Sequence, residues 1–227
     1  MVSDILICVR VVIWLICVAG ALQATGCGAS SVNTASNASG TTTVARLRDS
    51  GRVRLYRVPS GSMEPTFHLG TKVVVEQATP AVGAVVVVYP PRDYVTEECG
   101  PTPHVVKPGG AACDTPISEQ SRVETIKRIV AGPGDVIYVR GGYVYRKANG
   151  SGEFIRENEP YIRACGTRPE CDFPVQIKIP ADHWFLMGDN RGESDDSRFW
   201  GPVPTTWIVG IATNYSLKGR RASVGGP

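Results

Sequence analysis

The chain has 227 residues, of which 42% are hydrophobic and 20% charged. That balance excludes a largely disordered chain, and the presence of only one apolar run of near-membrane length excludes a polytopic membrane protein. The charge of 24 basic residues against 21 acidic, +3 overall, is too mild to indicate nucleic acid as a partner.

The apolar run is ILICVRVVIWLICVAGAL, residues 5–22. It predicts one N-terminal membrane segment within 1–22, long enough to span a bilayer as a helix. Arg10 lies near one end, where its side chain can snorkel to the interface. Residues 23–45 are rich in Ser, Thr, Asn, Ala and Gly and read as a flexible tether. Within them, Ala24-Thr25-Gly26-Cys27 resembles a bacterial lipobox, in which cleavage would leave Cys27 as the lipidated N-terminus. Helix or lipid, either anchor places the rest of the chain on the outer face of a membrane.

From residue 46 the sequence reads as strands. KVVVEQ (72–77) and AVVVVYP (84–90) are Val-rich, as strands favour. DVIYVRGGYVYRK (135–147) alternates on both sides of Gly141-Gly142 and predicts a hairpin. PVQIKIP (174–180) and WIVGIATNYS (207–216) are later strands, and no stretch sustains a helical period. With Gly 25 and Pro 17, the chain favours many turns and short strands. Residues 90–122, rich in Pro and Gly, are read as a surface excursion.

Seven cysteines are present, and no CxxC among them argues for a structural zinc site. Cys99, Cys113, Cys165 and Cys171 lie in the body behind an export-like N-terminus, which favours two disulfides over free thiols. Of the three connectivities, the local one is preferred: Cys99–Cys113 with Cys165–Cys171.

Three segments can carry chemistry. Pro59-Ser60-Gly61-Ser62-Met63-Glu64-Pro65-Thr66 is a turn able to present a serine hydroxyl to a cleft. A serine nucleophile needs a base. His68, His104 and His183 are the available histidines, and nothing in the pattern selects one. Lys127, in Glu124-Thr125-Ile126-Lys127-Arg128-Ile129-Val130, is the other option, provided that burial lowers its pKa. Taken alone, it fits an edge-strand lysine better. The third segment, Met187 to Pro204, is dense in polar groups yet bracketed by Trp184, Phe185 and Trp200. It is either solvated surface or a hydrogen-bond network beside an apolar cleft.

In this order and spacing, PSGSMEPT, KRIVAGPGD and GDNRGESDDSRFWGPVP resemble the type I signal peptidases, membrane-bound Ser-Lys proteases that remove signal peptides from exported proteins. The resemblance covers residues 56–90 and 122–215. It implies an all-β fold: a catalytic antiparallel β core over 46–139 and 185–216, a small inserted β domain over 140–184, and a tail over 217–227. It implies Ser62 as nucleophile and Lys127 as general base, with Ser60 and the Ser62 N–H forming the oxyanion hole. Ser194 would hydrogen-bond and orient the lysine. Asp196 with Arg198, and Arg128 with Asp189, would be supporting ion pairs. Met63 would lie near the substrate's small side-chain pockets. Cys165–Cys171 resembles a disulfide of some relatives. The partners implied are preprotein signal peptides, cut after an Ala-X-Ala-like sequence, and the lipid bilayer. No metal, cofactor or nucleic acid is implied. The location implied is the cell membrane, with the catalytic domain on the extracytoplasmic face.

The chain departs from the family pattern in three places. Residues 23–61 separate the apolar run from Ser62, Met1–Asp4 lacks a positive flank, and Gly192-Glu193 stand where Asp-Asn is more usual. The competing readings are a Ser-Lys peptidase dedicated to one substrate such as a pilin, an autocleaving repressor, and a non-catalytic extracytoplasmic lipoprotein that binds a partner. The apolar N-terminus disfavours the repressor.

Overall fold

The structure is a computed structural model that describes residues 53–92, 94, 98–100, 104–165, 168–213, 216–217 and 220–221. The apolar run 5–22, the tether 23–45 and Cys27 lie outside the described residues. Among those described, no helix is long and apolar enough to cross a membrane.

In chain order the strands begin with β1 (Val53–Arg57), β2 (Lys72–Glu76), β3 (Val85–Val88), β4 (Glu98–Cys99) and β5 (His104–Val105). There follow β6 (Thr125–Ala131), β7 (Val136–Arg140), β8 (Tyr143–Lys147), β9 (Ile155–Arg156) and β10 (Phe173–Lys178). The last are β11 (His183–Met187), β12 (Val203–Pro204), β13 (Ile208–Thr213), β14 (Ser216–Leu217) and β15 (Arg220–Arg221). One short α-helix, α1 (Ser197–Trp200), interrupts them. The expected all-β, antiparallel class is what these residues form.

Seven strands make one sheet in the order β1-β2-β13-β3-β6-β11-β12, antiparallel throughout. Four make a second antiparallel sheet, β10-β7-β8-β9. The hairpin predicted at Gly141-Gly142 joins β7 to β8, with Arg140 opposite Tyr143. Its two-residue turn has φ of 56° and 81°, the left-handed region that glycine enters without a Cβ clash.

The Val-rich run of β3 is buried on both faces. Val85 and Val87 pack with Phe67, Val75 and Ile126. Val86 and Val88 pack with Ile129, Leu186 and Trp200. A strand covered on both sides has no need of polar alternation, which explains four valines in succession. A third cluster joins the sheets: Val130, Ala131 and Phe185 from the first meet Ile137, Val139, Val144 and Phe173 from the second.

Among the described residues of 90–122, Lys107, Asp114 and Glu119 are exposed while others are buried. Cys99, Val106, Ala112 and Cys113 are buried in that third cluster beside Phe199. The Cys113 N–H donates to the Arg198 carbonyl at 2.9 Å. The preferred cysteine pairing is the one formed, with Sγ–Sγ distances of 2.06 Å for Cys99–Cys113 and 1.96 Å for Cys165–Cys171. The Cys99–Cys113 disulfide and these buried side chains hold the described part of that segment against the core.

Phe185, with no exposed surface, sits where the two sheets share a core. Phe185→Ala is expected to cost about 3–5 kcal/mol of stability. Val175→Ala, at a position 50% exposed, should change it by less than about 0.5 kcal/mol. Urea denaturation of both variants checks the contrast.

Candidate active site

The serine segment folds as consecutive turns between β1 and β2. Its backbone closes on itself, with Glu64 N–H donating to Gly61 O at 3.1 Å and Phe67 N–H to Met63 O at 2.9 Å. Met63 and Phe67 point into the core and hold the turn from below. Met63 therefore has no exposed surface. Its place near the substrate's small side-chain pockets stays an expectation of the resemblance; the structure shows its side chain in the core cluster with Phe67, Val73 and Val75.

Ser62 is 5% exposed and Lys127 only 3%. Lys127 Nζ lies 2.8 Å from Ser62 Oγ. Ser60 Oγ lies 3.2 Å from the same oxygen, and the Ser62 N–H points toward Ser60 Oγ at 3.5 Å. The Lys127 amine and the Ser60 hydroxyl thus meet at the Ser62 hydroxyl. His68 and His183 do not share this position. His68 Nδ1 is 3.4 Å from Glu64, and His183 Nδ1 is 2.7 Å from the Ala181 carbonyl.

Lys127 is not an edge-strand residue. Its strand, β6, runs between β3 and β11 inside the large sheet. Burial pushes the Lys127 ammonium well below its ordinary lysine value. The Asp196 and Asp195 carboxylates pull the other way, and the Arg198 guanidinium adds to the lowering.

Two buried ion pairs frame the dyad. Arg198 donates Nε to Asp196 Oδ1 at 2.8 Å and Nη2 to Oδ2 at 2.9 Å. Burial opposes ionisation of Asp196, yet the Arg198 charge and the Gly188 N–H bond hold its carboxyl below the ordinary value. Asp196 also caps α1, accepting from the Arg198 backbone N–H at 3.2 Å. Arg128 grips Asp189 through Nε at 2.9 Å and Nη2 at 2.7 Å. The Thr66 hydroxyl also donates to Asp189, tying the serine segment to the third segment. Asn190 completes the link: its N–H donates to Ser62 O at 3.0 Å, and its amide to Gly61 O at 3.1 Å.

Ser194 is buried beside Gly188, where a Cβ would meet the Ser194 side chain and stand 2.5 Å from the Ser62 carbonyl oxygen. Its hydroxyl has no hydrogen-bond partner among the described residues. The expected bond from Ser194 to Lys127 is therefore not made here, and the hydroxyl packs against Gly188 instead. The Ser194 carbonyl accepts from Arg198 at 3.0 Å.

Gly192-Glu193 form an exposed-side turn held by Arg168, which donates to Gly192 O at 2.9 Å and to Glu193 at 2.8 Å. Sequence reasoning missed a third buried pair, Arg191–Glu159, at 2.5 Å. Its only sequence signal was the polar density of the third segment. The partner lies 32 residues away in the chain, between β9 and β10.

The sequence profile of the signal peptidase family, peptidase S26, matches residues 40–216. Three relatives illustrate the similarity. "Probable signal peptidase I-1" of Synechocystis sp. is 31% identical over 160 residues, covering 68% of this chain and 66% of that protein. Signal peptidase I of Pseudomonas fluorescens is 31% identical over 189 residues, with 70% and 63% covered. Signal peptidase I of Leptolyngbya laminosa is 30% identical over 159 residues, with 68% and 64% covered. The chain thus spans slightly under two thirds of the length of these relatives.

Burial of Lys127 has a stability consequence. With the folded pKa below the unfolded one, the unfolded chain binds more protons between the two values, so stability rises with pH across that window. Lys127→Met removes the dependence. The variant should melt above the parent at pH 7, and the difference should shrink as pH approaches about 10.4, the unfolded lysine value. Calorimetry at several pH values checks this.

Proposed function

We propose, on the premise that this chain belongs to the signal peptidase family S26, that it is a serine endopeptidase removing N-terminal signal peptides from exported preproteins. Ser62 is the nucleophile and Lys127 the general base. The observation that carries this reading is the 2.8 Å approach of a buried Lys127 amine to the Ser62 hydroxyl.

The chemistry follows from the geometry. A lysine at its ordinary pKa would be only about 0.04% neutral at pH 7, so burial is what makes the amine a usable base. Neutral Lys127 takes the Ser62 proton as Oγ attacks the scissile carbonyl. The oxyanion that develops is met by the Ser60 hydroxyl and the Ser62 N–H. Lys127, now an ammonium, is stabilised by the Asp196 and Asp195 carboxylates that already favour its charged form. It passes the proton to the departing amine. The acyl group remains on Ser62, and Lys127 next deprotonates the water that releases it.

The family resemblance further assigns cutting after small residues in an Ala-X-Ala-like sequence. It also assigns membrane tethering through residues 5–22 or a lipid on Cys27, with the catalytic residues on the extracytoplasmic face. Residues 140–184, which hold β8, β9 and β10 of the four-stranded sheet, are read as the inserted domain. No cofactor enters any step.

The test uses the full chain in detergent with a preprotein bearing an Ala-X-Ala site. The parent should cleave it, while Ser62→Ala and Lys127→Ala should each lose about 10³-fold or more in kcat. Ser60→Ala should lose about 10²–10³-fold, the usual result of removing one oxyanion donor. The parent's kcat/KM should rise with pH through the depressed Lys127 pKa. Undiminished cleavage by both dyad variants would overturn the assignment. A stable preprotein complex without turnover would favour the binding-module reading.

A further inference from the structure

The segment Glu159-Pro160-Tyr161-Ile162-Arg163 follows the second sheet's edge strand β9 and belongs to none of the three segments read as catalytic. Its alternate residues reach three different parts of the site. Glu159 and Arg191 form an ion pair at 2.5 Å with side chains 1% and 0% exposed. Tyr161 places its ring 3.8 Å from the Arg128 guanidinium, the arginine that grips Asp189. Arg163 pairs with Glu64 at 3.1 Å, two residues beyond Ser62. The backbone joins in: Arg163 N–H donates to Asp189 O at 2.8 Å, and Arg191 N–H to Arg163 O at 3.1 Å.

Arg191 is the centre of this arrangement. Besides Glu159 it donates Nε to Gly188 O at 3.0 Å and Nη1 to Gly142 O, in the turn of the β7–β8 hairpin. Glu159 Oε2 accepts from the Val144 N–H at 3.0 Å on the same hairpin. The carboxylate is therefore anchored to the second sheet and the guanidinium to the loop 188–191. That loop holds Ser62 by its carbonyl through Asn190. A buried pair this complete is costly to desolvate, and simple apolar packing would serve stability as well. Its value lies in fixing one arrangement of groups.

We propose that residues 159–163 are a positioning strap, fastened by the Glu159–Arg191 pair, through which the second sheet sets the place of Ser62 against Lys127. This rests on the peptidase reading for its catalytic consequence, though not for its structural one. Glu159 touches no substrate and no reacting atom; it acts through Arg191, Gly188 and Asn190. A displacement of the nucleophile on the order of 1 Å can cost about 10²-fold in rate while leaving substrate binding intact.

The experiment uses the full chain in detergent and compares the parent with Glu159→Ala and Glu159→Gln. For Glu159→Ala, kcat should fall by up to about 10²-fold with KM little changed. Glu159→Gln, which keeps an acceptor for the Val144 N–H, should recover most of that loss. Hydrogen exchange of Glu159→Ala should quicken over residues 60–67 and 188–194 while β2, β3 and β13 stay as protected as in the parent. A folded Glu159→Ala with parental kcat, or a loss carried by KM, overturns the proposal. So does faster exchange spread over all the strands. Where Glu159→Ala does not fold, Tyr161→Ala removes a contact without stranding a charge, and its kcat must fall at constant KM or the proposal fails. If the parent cleaves no preprotein yet the local exchange signature appears, the strap stands and the peptidase reading falls.

Discussion

A primary amine kept out of water, 2.8 Å from a serine hydroxyl, is the constraint on which the rest of this structure depends. Removing an ammonium from solvent is costly, and the protein resolves the cost by favouring the neutral form. Burial alone would be undone by the acidic groups nearby, since a close carboxylate restores the charged form. Here the two fully buried carboxylates, Asp196 and Asp189, are each gripped by two nitrogens of an arginine, Arg198 and Arg128. The Arg198 guanidinium opposes part of that pull on Lys127, and burial remains the largest influence.

The same arrangement explains why the fold is built around β6. A central strand supplies a side chain with walls on both sides, which an edge strand cannot. Ser62 comes instead from a turn, where the backbone can present a hydroxyl and an N–H at once. The third segment closes the gap between them. Gly188 matters there because any side chain would collide with Ser194 and the Ser62 carbonyl. The site is therefore assembled from one central strand and two loops, and the loops are fixed by buried polar bonds together with the apolar anchors Met63 and Phe67.

Local pattern made much of this legible in the sequence. The Val-rich runs, the Gly141-Gly142 hairpin and the late strand formed where period and turn chemistry placed them. The Ser62 turn and Lys127 could be singled out as chemically able, and the polar segment 187–204 as a possible network. What stayed hidden depends on partners distant in the chain. Lys127 looks like an edge residue until β3 and β11 are known to flank it. That Met63 packs in one cluster with Val73, Val75 and Ile126 is likewise set by residues far away in the chain. Within residues 90–122, composition does not reveal that Cys99, Val106, Ala112 and Cys113 are buried in the core. Arg191–Glu159 had no signal of its own, because neither residue type predicts burial and nothing local joins them.

The central claim is that Lys127 is neutral in the folded protein at neutral pH. The most direct measurement is an NMR pH titration of the full chain with lysines labelled with carbon-13 at Cε, assigned by comparison with Lys127→Met. The account predicts one lysine resonance with the chemical shift of a neutral amine at pH 7, titrating far below the others and absent from the variant. A Lys127 resonance that titrates with the exposed lysines, near 10.4, would contradict it.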